Sequence, residues 1–249
     1  MEAMEALEAA ASRMRIADPA ATRIDTDVDV ATSMFRFDGA RVLDLGCGAA
    51  LFSRLLALKH PTGTFVALEV DRRAHEKNLA SEKPPNLTFG LGGAEAIPAE
   101  NAAFDMVTMI KSLHHVPIER MGDAMAEVRR VLHPGGYFFV LEPVFAGDHN
   151  EVMRVFHDEE RVRFAAFEAT RRAVAMGLFD LVEEVFFVNE ARYADFEAFQ
   201  RKHIGVTHTE HNLTPEQLAE VKRRFARQMG PGGARFLSPM RVQLLRRPA

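Results

Sequence analysis

Residues 42–57 read VLDLGCGAALFSRLLA, and their interpretation decides the fold. Val42 to Leu45 is a short apolar run of strand character. Gly46 and Gly48 then allow a tight turn that approaches a ligand closely, and from Leu51 the apolar residues recur at helical spacing. Strand, glycine turn and helix in that order place the unsatisfied amides of a helix N-terminus at the strand's carboxyl end, where nucleotide-like ligands bind. The spacing does not fit a dinucleotide: counting from Gly46, the sixth place of Gly-x-Gly-x-x-Gly is Leu51, which argues against an NAD-dependent oxidoreductase. No Gly-Lys-Ser/Thr follows, so the phosphate-loop signature is absent too. An acid, Asp44, stands two residues before the first glycine and suits a ligand that carries an ammonium group and no phosphate.

Outward from this stretch the same texture repeats. Apolar runs at Phe65 to Leu68, Leu87 to Gly90, Met106 to Ile110 and Tyr137 to Leu141 alternate with helical patterns, which predicts βαβ units and a parallel sheet. Upstream, Met4, Leu7, Ala11 and Met14 mark an amphipathic helix closed by Asp18 and Pro19, and Val28 to Phe35 mark a second. Downstream of Pro143 the chain turns Phe- and Arg-rich, with helices expected over roughly Glu151 to Met176, Tyr193 to Lys202 and Pro215 to Met229. Two late strands are expected over 181–188 and 235–245.

The stretch Asp44-Leu45-Gly46-Cys47-Gly48-Ala49-Ala50 resembles motif I of the class I S-adenosylmethionine-dependent methyltransferases, acid-x-Gly-x-Gly-x-Gly, with Ala50 in the third glycine's place. Three further blocks follow in the family's order. FVALEVD ends a second strand at Glu69, twenty-one residues after Gly48, where an acid can accept hydrogen bonds from both ribose hydroxyls. Asp71 is the competing acid, placed where it can cap the next helix. GLGGAEAIPAENAAFDMVTMIKSLHHV is similar to the adenine loop and fourth strand, with Gly93 where many relatives carry an Asp. EVRRVLHPGGYFFVLEP is similar to the helix, Pro-Gly-Gly turn and fifth strand. The resemblance spans Val42 to Glu142 and is nearest the group that contains the ubiquinone and menaquinone biosynthesis enzymes.

The resemblance implies a Rossmann-like, doubly wound α/β fold with a mostly parallel seven-stranded sheet, helices on both faces and a helical cap from the C-terminal third. It divides the chain into an N-terminal helical lid (1–40) and a methyltransferase domain (41–249). Within that domain, 41–142 is the cofactor half, and the cap insertions cover about 144–176 and 190–232. S-adenosyl-L-methionine is the implied cofactor, with Asp44, Gly46, Cys47, Gly48, Glu69, Val70, Gly93, Ala94, Glu95 and Lys111 as its binding residues. Methyl transfer to a small-molecule acceptor by in-line displacement is the implied reaction. A protein that binds S-adenosylmethionine or S-adenosylhomocysteine without catalysis is the alternative.

His114 and His115, just past the fourth strand, are the candidate general bases, each with a structural alternative in shaping the loop. His149, Arg154 and His157 are candidate acceptor contacts, on a helix whose Met153, Phe156, Phe164 and Phe167 would form an apolar wall; an ordinary amphipathic helix explains them as well. His203, His208 and His211 lack a zinc-site spacing, and no metal is expected. Cys47 reads as a packing residue of the turn.

The whole-chain figures fit one soluble globular domain: 249 residues, 47% hydrophobic and 27% charged. Thirty-one Lys and Arg against thirty-five Asp and Glu give a net charge of -4 and no basic footprint for nucleic acid. A single cysteine, no secretory leader and no apolar run of spanning length point to a cytoplasmic protein. The N-terminal helix could serve as a lid or as a contact between two copies, so monomer and homodimer both stay open.

Overall fold

The computed structural model describes residues 2–204 and 213–249. The chain runs α1 (Glu2–Ser12), α2 (Asp27–Met34), β1 (Arg41–Leu45), α3 (Leu51–Lys59), β2 (Thr64–Glu69), α4 (Arg72–Ala80), β3 (Leu87–Leu91) and β4 (Phe104–Ile110). Two single-turn 3-10 helices follow, Leu113–His115 and Ile118–Arg120. Then come α5 (Met121–Val131), β5 (Leu132–Pro143), α6 (Asp148–Met153), α7 (Glu160–Ala175), β6 (Asp180–Tyr193), α8 (Phe196–His203), α9 (Pro215–Ala226), β7 (Met229–Gly230) and β8 (Gly233–Arg246).

The main sheet has seven strands in the order β3-β2-β1-β4-β5-β8-β6, and the two-residue β7 pairs with β8 beside it. β1 to β5 pair in parallel, whereas β8 runs antiparallel to both β5 and β6. The central strands are buried along almost their whole length, with Val42 to Leu45 and Met106 to Met109 all covered, because helices lie on both faces. One face packs Leu43, Leu45 and Val107 with α5, α7 and the Ala11 and Met14 side chains. The other packs Val42, Ala67 and Met106 with Val30, Phe52 and Leu56 of α2 and α3.

Strand order reverses between β1 and β4, so their carboxyl ends open a crevice at the sheet's switch point. A third cluster lies beyond the carboxyl end of β5. β5 stops at Pro143, opposite Met240, but β6 and β8 continue as a two-stranded arm through Tyr193 and Ala234. On that arm pack Val152 of α6, Phe199 of α8, and Val221 and Phe225 of α9. The arm is longer than expected because Asn189, Glu190 and Arg192 break the apolar run of β6 beyond residue 188. The edge of β6 is itself covered: Val188 exchanges backbone hydrogen bonds with Arg23 and Asp25.

The expected helix over Glu151 to Met176 is two helices, with residues 154–159 between them. Tyr193 closes β6, and α8 starts only after the Asp195 side chain caps it by accepting from the Ala198 amide. Among the described residues no helix is long and apolar enough to cross a membrane.

Candidate active site

The glycine turn after β1 is built from left-handed backbone. Gly46, Gly48 and Ala50 have φ of 69°, 55° and 56°. A β-carbon at Gly46 would stand 2.7 Å from the Ser112 Cβ, so the turns after β1 and β4 touch at the switch point. Ser112 Oγ donates to the Leu45 carbonyl at 2.7 Å and fixes that contact. Ala50 takes the left-handed conformation as the third glycine would, at a cost of roughly 1–2 kcal/mol. No side chain caps α3, so its first amides face the crevice, while the Gly46 and Cys47 amides bind the Leu68 carbonyl. Asn78 of α4 secures the far side by donating to the Gly48 carbonyl at 2.7 Å.

Asp44 is buried beneath this turn. Its carboxylate accepts from Thr108 Oγ1 at 2.9 Å and from Ser53 Oγ. Burial raises its pKa to about 6, the two hydroxyls oppose the rise, and the nearby Glu69 charge adds to it. Glu69, also buried, accepts from the amides of Gly48 at 2.7 Å, Val70 at 2.8 Å and Asp71 at 2.9 Å. Among the described residues no Lys, Arg or His forms an ion pair with either acid. Two carboxylates held by neutral donors, beside an uncapped helix, are a donor set for a cationic, hydroxyl-bearing ligand and a poor one for a phosphate.

Asp71 caps α4, accepting from the amides of Arg73 and Ala74, which separates its role from that of Glu69. Val70 is 62% exposed beside Glu69, an apolar side chain left uncovered next to the turn. At Gly93 a β-carbon would meet the Glu95 carboxylate at 2.6 Å. The Glu95 side chain thus folds over Gly93 into the space that a longer side chain at position 93 would take. Ala94 is buried beside it. Lys111, with φ of 56°, extends to Asp27 of α2 at 2.7 Å and to Asn189 of β6 at 2.9 Å. The Cys47 thiol is pushed up by burial and by Asp44 and Glu69, which keeps it protonated and unreactive.

The two histidines after β4 part company. His114 is 4% exposed, its Nδ1 is hydrogen-bonded to the buried Glu142, and its Nε2 lies 3.5 Å from Glu159. Burial alone would lower its pKa, but the Glu142 and Glu159 carboxylates outweigh burial and raise it to about 9. His114 is therefore an imidazolium with both nitrogens engaged, and it cannot accept the proton expected of a base. His115 is exposed, its ring 4.1 Å from that of His114. Burial and the His114 charge lower its pKa, leaving it neutral with a lone pair to offer.

The expected acceptor residues fall in separate neighbourhoods. His149 sits in the arm's aromatic cluster, 3.2 Å from the Tyr193 hydroxyl, which is 2.7 Å from His203 Nε2. Burial, then neighbouring cations, lower His149 to about 4; burial and His149 lower His203 to about 3. Arg154 lies over the Phe145 ring at 4.8 Å, among Glu151, Asp158 and Glu160. His157 Nε2 bonds Glu159 at 2.8 Å. The apolar wall does not form as one face. Phe164 is 54% exposed, Phe167 is buried under Arg241, and Met153 and Phe156 pack with the arm. His208 and His211 lie outside the described residues. A groove of about 220 Å³ between α5 and α7, lined by Met121, Met125, Ala169 and Met176, includes none of the glycine-turn residues.

Sequence reasoning missed Ser53, Thr108, Asn78, Glu142 and Glu159. Glu142 carried a signal, since it ends an apolar strand as Glu69 does. Ser53 and Asn78 look like ordinary helix-surface residues, and only the fold turns them inward.

Residues 42–136 match the family model described as a methyltransferase domain. A probable phthiotriol/phenolphthiotriol dimycocerosates methyltransferase of Mycobacterium ulcerans is 33% identical over 100 residues, 40% of this chain and 38% of its own. A fatty-acid O-methyltransferase of Mycolicibacterium smegmatis is 35% identical over 108 residues, 41% of this chain and 36% of its own. The chain thus spans well under half the length of these curated relatives, which are named for lipid acceptors rather than for quinones. A Bacillus halodurans structure described as a candidate methyltransferase aligns over 90% of this chain and 100% of its own. At a TM-score of 0.62 and 17% identity it shares the fold. The glycine turn, the two acids and the sheet order lie in and around the residues that match the methyltransferase-domain model, and they agree with that match.

Proposed function

We propose that this protein is an S-adenosylmethionine-dependent methyltransferase whose acceptor is a small molecule with an apolar body and an oxygen function. The observation that carries the reading is the pair of buried carboxylates, Asp44 and Glu69, held by neutral donors around the glycine turn. When bound, S-adenosylmethionine supplies a methyl group already activated on a sulfonium. The residues then have to bind, orient and exclude water, and positioning of this kind contributes on the order of 7–11 kcal/mol.

In this reading Asp44 draws the cofactor's cationic methionine end, and Glu69 exchanges some of its backbone partners for the ribose hydroxyls. Cys47, Gly46 and Gly48 shape the turn, and Val70, Gly93, Ala94 and Glu95 surround the adenine. Lys111 ties the floor of the site to α2 and β6. His114 acts as a positioning residue between β5 and α7, and His115 offers its lone pair at the mouth. His149, Arg154 and His157 contribute from the cover. The acceptor class is supported by the fatty-acid and phthiotriol names of the relatives and by Phe145 and Phe164 at the entrance to α7.

The test is incubation with methyl-labelled S-adenosylmethionine and a panel of long-chain fatty acids and hydroxylated lipids, followed by mass spectrometry. Labelled methyl ester or ether that fails to form with Asp44→Ala supports the reading. If S-adenosylmethionine binds and no acceptor from a broad metabolite extract gains label, the non-catalytic alternative holds instead.

A further inference from the structure

We infer that His114, His115 and Glu159 form a binding site for a divalent first-row transition ion at the mouth of the crevice. Each offers one ligand atom, and these atoms all lie within 4.8 Å of one another. The residues come from two packed elements. His114 and His115 lie on the 3-10 turn after β4, and Glu159 stands immediately before α7.

Three features fit a metal rather than a plain hydrogen-bonded cluster. His114 donates through Nδ1 to Glu142, itself fixed because its other oxygen accepts the Leu113 amide at 2.9 Å. A carboxylate behind one ring nitrogen is the usual support of a metal-binding histidine, because it sets the ring and presents the other nitrogen. His114 Nε2 and Glu159 Oε1 are 3.5 Å apart, close to the edge of about 3.4 Å expected between ligands on ~2.1 Å bonds in a tetrahedron. Glu159 is likewise held from behind, by Arg163 at 2.6 Å on its second oxygen.

Two imidazoles and one carboxylate suit Zn²⁺, Co²⁺ or Fe²⁺ over Mg²⁺ or Ca²⁺. Imidazole binds a metal ion in its neutral form, so the affinity of the site for the ion should rise with pH. It would also engage the His115 lone pair, making that ring a ligand. The assignment concerns the chain without S-adenosylmethionine and does not rest on methyl transfer.

The experiment uses untagged, chelator-treated protein, titrated with Zn²⁺ by calorimetry and with Co²⁺ by visible absorption. One equivalent per chain is expected, with tetrahedral ligand-field bands for Co²⁺. His115→Ala, an exposed position, should weaken binding at least tenfold, and Glu142→Gln should weaken it about 10–100-fold. Glu159→Gln should abolish the bands in protein whose far-ultraviolet circular dichroism matches wild type. No stoichiometric uptake, or an equivalent retained in His115→Ala, overturns the site.

Discussion

Two pairs of acids, three of the four fully buried, are treated in opposite ways. Asp44 and Glu69, at the carboxyl ends of β1 and β2, are held by hydroxyls and backbone amides alone. Glu142, near the carboxyl end of β5, and Glu159, just before α7, face His114, His157 and Arg163, and Glu142 is also the register partner of the buried Arg241. The second pair is neutralised by the protein. The first pair has no cationic partner of its own among the described residues beneath the glycine turn, and the buried Asp44 carboxylate costs stability until a cation arrives. A site that binds a cationic ligand is expected to look unfinished in this way, whereas an ion network that docks a cover on a sheet is expected to look complete.

Neutralising one acid of each pair should therefore move stability in opposite directions. Glu142→Gln removes the charge between His114 and Arg241 and should cost about 3–5 kcal/mol, measured by urea denaturation at pH 7. The same network fixes the sign of a pH effect. His114 has a folded pKa of about 9, above its ordinary 6.5. The stability it contributes is complete below pH 6.5 and is lost as pH rises through 9. Wild type should soften over that window, and Glu142→Gln should soften much less. If Glu142→Gln is as stable as wild type, the completed-network half of the comparison fails.

Asp44→Asn should do the reverse. The Asp44 pKa is raised from 3.8 to about 6, so its contribution is complete below 3.8 and is lost as pH rises through 6. The non-titrating variant should match wild type near pH 4, gain over it between pH 4 and 6, and keep an advantage of up to about 3 kcal/mol above that. Melting temperatures across the pH series check this. A variant less stable than wild type at pH 8 would show that Asp44 is not a strained acid. The smallest effect is confined to the cover. Thr214 caps α9 reciprocally with Gln217, and Thr214→Ala should cost about 1 kcal/mol without altering cofactor affinity.

The same contrast explains what could be read from the sequence. The cofactor half was legible because its signals are local. Val42 to Leu45, the two glycines and the helix after them lie in one window, and the acid of the next strand ends an apolar run. Asp71 and Glu69, two residues apart, were separable by the capping position. The cover was not legible to the same degree. Phe and Arg recur through 154–159 as if the helix continued, although the chain breaks there and carries Glu159 to His114, forty-five residues earlier. His114 looked like a base beside His115. Only Glu142, brought alongside by the parallel pairing of β4 and β5, shows that its proton is held. Partners set by strand register leave no spacing in the sequence.

Calorimetric titration of the wild-type chain, Asp44→Ala and Glu69→Ala with S-adenosylmethionine tests the central claim most directly. The account predicts one site per chain in wild type. Glu69→Ala should bind about 10–100-fold more weakly, from the loss of charge-assisted hydrogen bonds, and Asp44→Ala more weakly still. Wild type that takes up no ligand, or variants that bind as well as wild type, would contradict it.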